Sequence, residues 1–361
     1  MHYRPQLDGL RAFAVSGVLY AHFVNSYSSL GHCGVQLFFV ISGFLITGML
    51  LDGRGDGAGG HRLPLRNFYA RRSLRLWPIY YLVTILAIVA DLDDVRASAP
   101  WHLLFATNLY FWSHQTWEPW VLDHYWSLGI EEQFYIVWPF LIYMAPRRAL
   151  SWIIPLIAVL SWLALMIARQ ITWLGDNDLL GMLLPFSLVS LSVGGLLALW
   201  DRQPGRALAW LPVAGPVAAL VWLAIYLWEG GNTGTALLFE AITWMALVHG
   251  AARGFSGAGR TVFEWSPLRY IGRISYGIYL YHNFVLYALG SGRLFGLHMQ
   301  QGLPALLLGT AITIAVAALS WHLIELPINR LKRYFPFAAP VAPREGRRAS
   351  EPSPAKAADL P

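Results

Sequence analysis

CGVQLFFVISGFLITGMLL, residues 33–51, holds nineteen residues with no acidic or basic side chain. A bilayer core about 30 Å thick needs roughly 20 mostly apolar residues in one helix. This stretch therefore reads as a membrane span, with Gly43 in its SGFLI portion (42–46) marking close packing against a neighbouring helix. Working outward, nine more stretches read the same way: 9–27, 72–91, 125–145, 149–168, 180–200, 208–228, 235–252, 270–290 and 303–325. A further apolar stretch, 101–113, is too short to cross and predicts a re-entrant or interfacial helix.

Composition supports a membrane chain. Only 13% of the residues are charged against 56% hydrophobic, whereas a soluble domain carries about 25% charged residues to solvate its surface. The expected fold class is all-α: a polytopic membrane protein of about ten transmembrane helices. The loops fix its orientation. Arg54, Arg62, Arg66, Arg71, Arg72, Arg75, Arg147, Arg148, Arg202, Arg206, Arg253, Arg260, Arg269, Arg330, Lys332 and Arg333 fall on one side if the N-terminus is inside. Basic loops stay cytoplasmic, so both termini are expected there, in a multi-pass integral membrane protein. The net charge of +6 then reflects topology and needs no nucleic-acid partner. Residues 1–335 form the membrane domain, and 336–361, rich in Pro, Ala and charge, read as a disordered tail. The single cysteine, Cys33, allows no internal disulfide and no sulfur metal site. Zinc, nucleophile-elbow and phosphate-loop motifs are absent from the sequence, so no metal is expected.

Ionisable groups inside a span mark function. Arg11 and His22 are eleven residues apart, three turns plus about 20°, so they share one face of the first span at a separation of roughly 16 Å. His22 should lie in the outer half of the membrane. Glu131 and Glu132, six or seven residues into the fourth span, reach a similar depth, and so does His282 beside Tyr279. A carboxylate near an imidazole fixes its tautomer and raises its basicity. A second cluster, Arg71, Arg72 and Arg75, lies at the inner surface. It reads either as a positive-inside anchor or as a clamp for phosphate oxygens. Together the clusters suggest acyl transfer from acyl-CoA, with phosphates at the inner arginines and the thioester reaching His22. Arg11, Tyr135 or backbone amides could stabilise the oxyanion. The other histidines, His124 among them, receive no role. A proton-coupled secondary transporter is the rival reading, although the paired halves common in such proteins are not visible.

These motifs resemble the acyltransferase-3 family of integral membrane O-acyltransferases. The resemblance rests on RAFAVSGVLYAH (11–22), GVQLFFVISGFLIT (34–47), FYARRSLRLWPIYY (68–81), HYWSLGIEEQFYIVWP (124–139), RISYGIYLYHNF (273–284) and LIELP (323–327). It implies a ten-helix enzyme moving acetyl or another short acyl group from cytoplasmic acyl-CoA to a hydroxyl of a cell-surface or secreted glycan, including lipid-linked sugars, or to a non-carbohydrate small molecule. His22 would be catalytic with Arg11, Glu131 and Glu132. Arg71, Arg72 and Arg75 would bind the donor, and Tyr135, Tyr279 and His282 would line the substrate site.

Overall fold

The computed structural model describes residues 3–26, 28–54, 62–171, 177–203, 208–229, 234–293, 296 and 298–336. Every regular element among them is helical. In chain order these are α1 (Pro5–Phe23), α2 (Ser29–Gly53), α3 (Arg62–Val89), α4 (Val95–Leu103), α5 (Thr107–His114), α6 (Tyr125–Met144), α7 (Arg147–Ala168) and α8 (Asn177–Gly181). They continue with α9 (Leu184–Trp200), α10 (Leu211–Glu229), α11 (Leu237–Arg253), α12 (Gly257–Phe263), α13 (Ser266–Arg273), α14 (Ser275–Gly290), α15 (Leu303–Ser320) and α16 (Leu326–Arg330). Short 3-10 turns flank α4 and α6, and a π-helical turn, Trp321–Glu325, joins α15 to α16. The expected tail from 337 onward lies outside the described residues.

The all-α expectation holds, but the count of ten spans does not. Among the described residues five helices are long and apolar enough to cross a membrane: Ser29–Gly53, Leu65–Val89, Arg147–Ala168, Leu211–Glu229 and Leu303–Tyr334. The other apolar stretches fall short for two physical reasons. The helices α9, α11 and α14 have 17, 17 and 16 residues, less than a bilayer's thickness at 1.5 Å per residue. The helices α1 and α6 instead carry Asp8, Arg11 and His22, and Glu131 and Glu132, within their apolar runs. The 101–113 stretch divides between α4 and α5, with Phe105 in the left-handed region (φ 54°) at the break.

The centre of the molecule is α2. Within its most apolar window 83% of residues are buried, against 17–28% for the other four membrane-length helices, so α2 is enclosed by protein and the others present apolar faces outward. It packs against α1 on one side and α9 on another. Glycine permits the second contact: a Cβ on Gly43 would collide with the Leu191 carbonyl, and one on Gly194 with the Val40 carbonyl. The close packing expected at Gly43 is thus its approach to α9.

Both ends of α1 are tied down, which sets where its polar side chains point. At its start Pro5 supplies a fixed φ suited to the first turn. Arg4 pairs with Asp201 (3.2 Å), which also takes Arg253 (3.2 Å). Buried Gln6 accepts from the Phe255 N–H (2.6 Å). At its end, two of the carbonyls a helix leaves open are satisfied by Gly302 N–H on Phe23 O (2.8 Å) and by the Gln301 amide on His22 O (2.8 Å).

Candidate active site

Arg11 and His22 do lie along one side of α1, and each belongs to a separate polar cluster. The Arg11 end opens into a cavity of about 320 Å³. Five cations line it, Arg11, Arg71, Arg72, Arg75 and Lys332, against one carboxylate, Glu131. Among the described residues Arg11, Arg72 and Arg75 form no ion pair. The Arg72 guanidinium stands over the Tyr135 ring, 4.4 Å from its centroid, and its buried Nε has no hydrogen-bond partner. Like charges held together at low dielectric repel strongly, so the arrangement favours an anionic ligand. Arg71 also anchors the fold. Its Nη1 donates to the Lys332 and Phe335 carbonyls (2.9 and 3.2 Å), holding the segment after α16 against α3. That contact brings the Lys332 side chain to the cavity.

Glu131 lines this cavity, near Arg72, Arg11 and the hydroxyls of Ser42 and Tyr135. Those two hydroxyls are themselves hydrogen-bonded (2.6 Å). Glu132 points elsewhere, accepting from Trp77 Nε1 (3.4 Å). Neither glutamate is therefore placed beside His22 as its depth in the span predicts, and Tyr135 belongs with Arg72. Glu131 lies eight residues beyond Asp123, roughly 12 Å along a helix, and it is Asp123 that meets His22.

The second cluster is built from α1, the segment before α6, and α14. The His22 Nδ1–H donates to the Val18 carbonyl one turn back (3.0 Å), because a carbonyl can only accept. In the neutral ring the lone pair is then on Nε2, 3.7 Å from Asp123 Oδ1. His124 Nδ1 is 3.8 Å from the same oxygen. The His282 ring packs edge-on against both His22 and His124, with centroids 4.6 and 4.8 Å apart. Asn283 Nδ2 donates to Asp123 Oδ1 (3.0 Å). Burial opposes the Asp123 charge, but the imidazoles of His124 and His22, which bring a positive charge and a second N–H when protonated, outweigh it and hold the carboxyl well below the usual carboxylate range. Three buried polar atoms here have no hydrogen-bond partner: His124 Nδ1, His282 Nε2 and Asn283 Oδ1. Unsatisfied buried atoms are uncommon and call for a ligand or water. Despite the chemistry gathered here, no group of three side chains among the described residues has metal-binding geometry.

Between the clusters stands a hydroxyl pair. Tyr279 OH and Ser127 Oγ are 2.5 Å apart, and both also lie within hydrogen-bonding distance of the His124 carbonyl (3.1 and 3.2 Å). Both residues line the basic cavity, whereas His22 does not. His22 therefore lies outside the cavity's lining, and His124, whose carbonyl the pair approaches, belongs to the imidazole cluster.

Sequence reasoning missed Asp123, His124, Asn283 and Lys332 as site residues. The signal for the first two was local: DHYWSL places an acid and an imidazole immediately before a helix that carries a membrane carboxylate pair.

The chain belongs to the acyltransferase family whose model, described as "Acyltransferase domain", matches residues 4–322. Among its relatives is "Putative peptidoglycan O-acetyltransferase YrhL" of Bacillus subtilis, 33% identical over 91% of this chain and 55% of that protein. Another is the peptidoglycan O-acetyltransferase OatA of Listeria monocytogenes, 30% identical over 91% of this chain and 56% of its own length. The O-acetyltransferase OatA of Staphylococcus aureus is 28% identical, covering 91% and 57%. The chain therefore spans about half the length of the curated relatives it matches. No solved structure matches it.

Proposed function

We propose that this chain is a membrane O-acyltransferase that carries acetyl, or another short acyl group, from acyl-CoA to a hydroxyl of peptidoglycan or another surface glycan. The observation that carries this reading is the polar side of α1, which joins a cationic cavity at Arg11 to an imidazole–carboxylate pair at His22. A cavity of about 320 Å³ suits the slender thioester-bearing arm of the donor. Its nucleotide phosphates would remain among Arg71, Arg72, Arg75 and Lys332, where guanidinium forks match phosphate oxygens.

In the reaction, the acceptor hydroxyl loses its proton to His22 Nε2 as its oxygen attacks the thioester carbonyl. A C–O bond forms and the C–S bond breaks. The proton then passes from the imidazolium to the departing thiolate. The imidazolium forms 3.7 Å from Asp123, whose negative charge offsets it. The acyl carbon has to leave the cavity's lining to reach His22, and on this reading it passes beside the Tyr279–Ser127 hydroxyl pair.

Purified protein should consume acetyl-CoA and acetylate glycan, and membranes from cells lacking the gene should lose the acetyl mass increment from their glycans. Proton-coupled solute flux without thioester consumption would overturn the reading in favour of a transporter.

The donor side makes a separate prediction. Lys332→Ala should raise the KM for acetyl-CoA about threefold to thirtyfold, the range expected for losing a charged contact partly open to water. The same variant should leave the KM for acetyl-pantetheine, which lacks the nucleotide, unchanged. Equal effects on both donors would show that Lys332 acts on the fold and not on the phosphates.

A further inference from the structure

A second cavity, of about 330 Å³, lies beyond the His22 end of α1. Trp120, Leu286, Tyr287, Met299 and Gln301 line it, and it shares no residue with the basic cavity. Two contacts tie its lining to the residues around the reacting imidazole, which lie behind that lining. Gln301 Nε2 donates to the His22 carbonyl (2.8 Å) and to Ser26 Oγ (2.6 Å). Asn283 Nδ2 bridges the Trp120 carbonyl (2.8 Å) and Asp123 Oδ1 (3.0 Å). Asn283 and His282 are fully buried, and each keeps one side-chain atom, Oδ1 and Nε2, without a partner.

An acyltransferase has two substrates, and on the reading above the first reaches His22 from the Arg11 side. The second must reach Nε2 by another route, and this cavity lies against the opposite end of the same helix. Its lining defines the ligand's chemistry. Trp120 and Tyr287 offer broad apolar rings beside a few polar groups, the usual make-up of a site that orients a small molecule. A pyranose ring matches that make-up, with C–H groups on its faces for the electron-rich rings and hydroxyls on its edge to extend past Trp120 toward Asn283 Oδ1, His282 Nε2 and His22 Nε2, which lie behind the lining. The Arg293 guanidinium lies 5.2 Å from the centre of the Tyr287 ring. It occupies one face of that ring and places a cation beside it, which suits a glycan bearing carboxylates.

We infer that this cavity is the acceptor site, binding one pyranose unit of a glycan with a ring hydroxyl turned toward His22. The inference rests on the acyltransferase reading. Steady-state transfer from acetyl-CoA by the purified full chain tests it, with a short N-acetylhexosamine oligosaccharide offered both free and attached to a lipid carrier. Trp120→Ala and Tyr287→Ala should each raise the acceptor KM about tenfold, with donor KM shifted less than twofold. Trp120→Phe, which keeps a ring, should recover most of the loss. If Trp120→Ala fails to fold, Tyr287→Ala and Trp120→Phe still give the comparison. Acceptor KM values unchanged by these substitutions, while the wild type transfers acetyl, would overturn the site and leave the function standing. A loss confined to the lipid-linked acceptor would also overturn it, by making this a lipid pocket. Wild-type protein that consumes no thioester with any acceptor would instead remove the function itself.

Discussion

His22→Asn should lower kcat for acyl transfer about 10²–10⁴-fold, the usual contribution of a positioned general base, while binding of CoA measured at equilibrium changes little. The asymmetry follows from where the two ring nitrogens point. Nδ1 is held by the Val18 carbonyl (3.0 Å), so the ring cannot turn without breaking that bond, and Nε2 is committed to the space beside Asp123 and His282. Asparagine is close in size and its amide can still donate to a carbonyl, so α1 keeps its packing, yet it cannot take a proton at neutral pH. Donor binding survives because His22 does not line the basic cavity. Arg72→Ala forms the counterpart: it should weaken CoA binding and spare the rate at saturating donor. A His22→Asn protein that transfers acetyl at the wild-type rate would remove the imidazole from the mechanism.

Much of this site is visible in the chain because helical periodicity is local. A spacing of eleven positions from Arg11 to His22 places both on one side of α1 whatever surrounds it, and a spacing of three from Arg72 to Arg75 does the same on α3. What stays hidden depends on how separate helices meet. Counting inward from the ends of apolar stretches puts Glu131 and Glu132 level with His22. The contact is made instead by Asp123, ahead of the first turn of α6, a residue that looks like an ordinary loop acid. Lys332 is hidden for another reason. The π-helical turn Trp321–Glu325 shifts the angular position of everything after it relative to a regular helix, and no residue pattern in the sequence announces that turn. The span count fails where hydropathy and length part company: α1 and α6 are helices of 19 and 20 residues, yet the charges they carry lower their apolarity.

Asp123→Asn carries the second large effect, a fall in kcat of about tenfold to a hundredfold, the range expected when a charge-assisted contact of about 1.5–3 kcal/mol is lost from a transition state. Two consequences of the substitution act together. The negative charge 3.7 Å from Nε2 disappears, so the imidazolium formed during attack lacks its nearest counter-charge. An amide in that position can also donate a hydrogen bond to the Nε2 lone pair, occupying the base before the acceptor arrives. Asp123→Glu restores the charge at a different reach and should recover part of the rate, which a purely structural role would not predict. Asp123 gives stability a sign as well. Its carboxyl titrates below the usual range in the fold, so its contribution is complete above the ordinary carboxylate pKa near 4 and fades as pH falls through its own lower value. Thermal melts of the wild type in detergent should therefore lose stability on acidification, and the Asp123→Asn protein should lose less of it over the same interval. If the two proteins lose stability in parallel while kcat is unchanged, Asp123 is a bystander and the carboxylate that serves His22 has to be sought elsewhere.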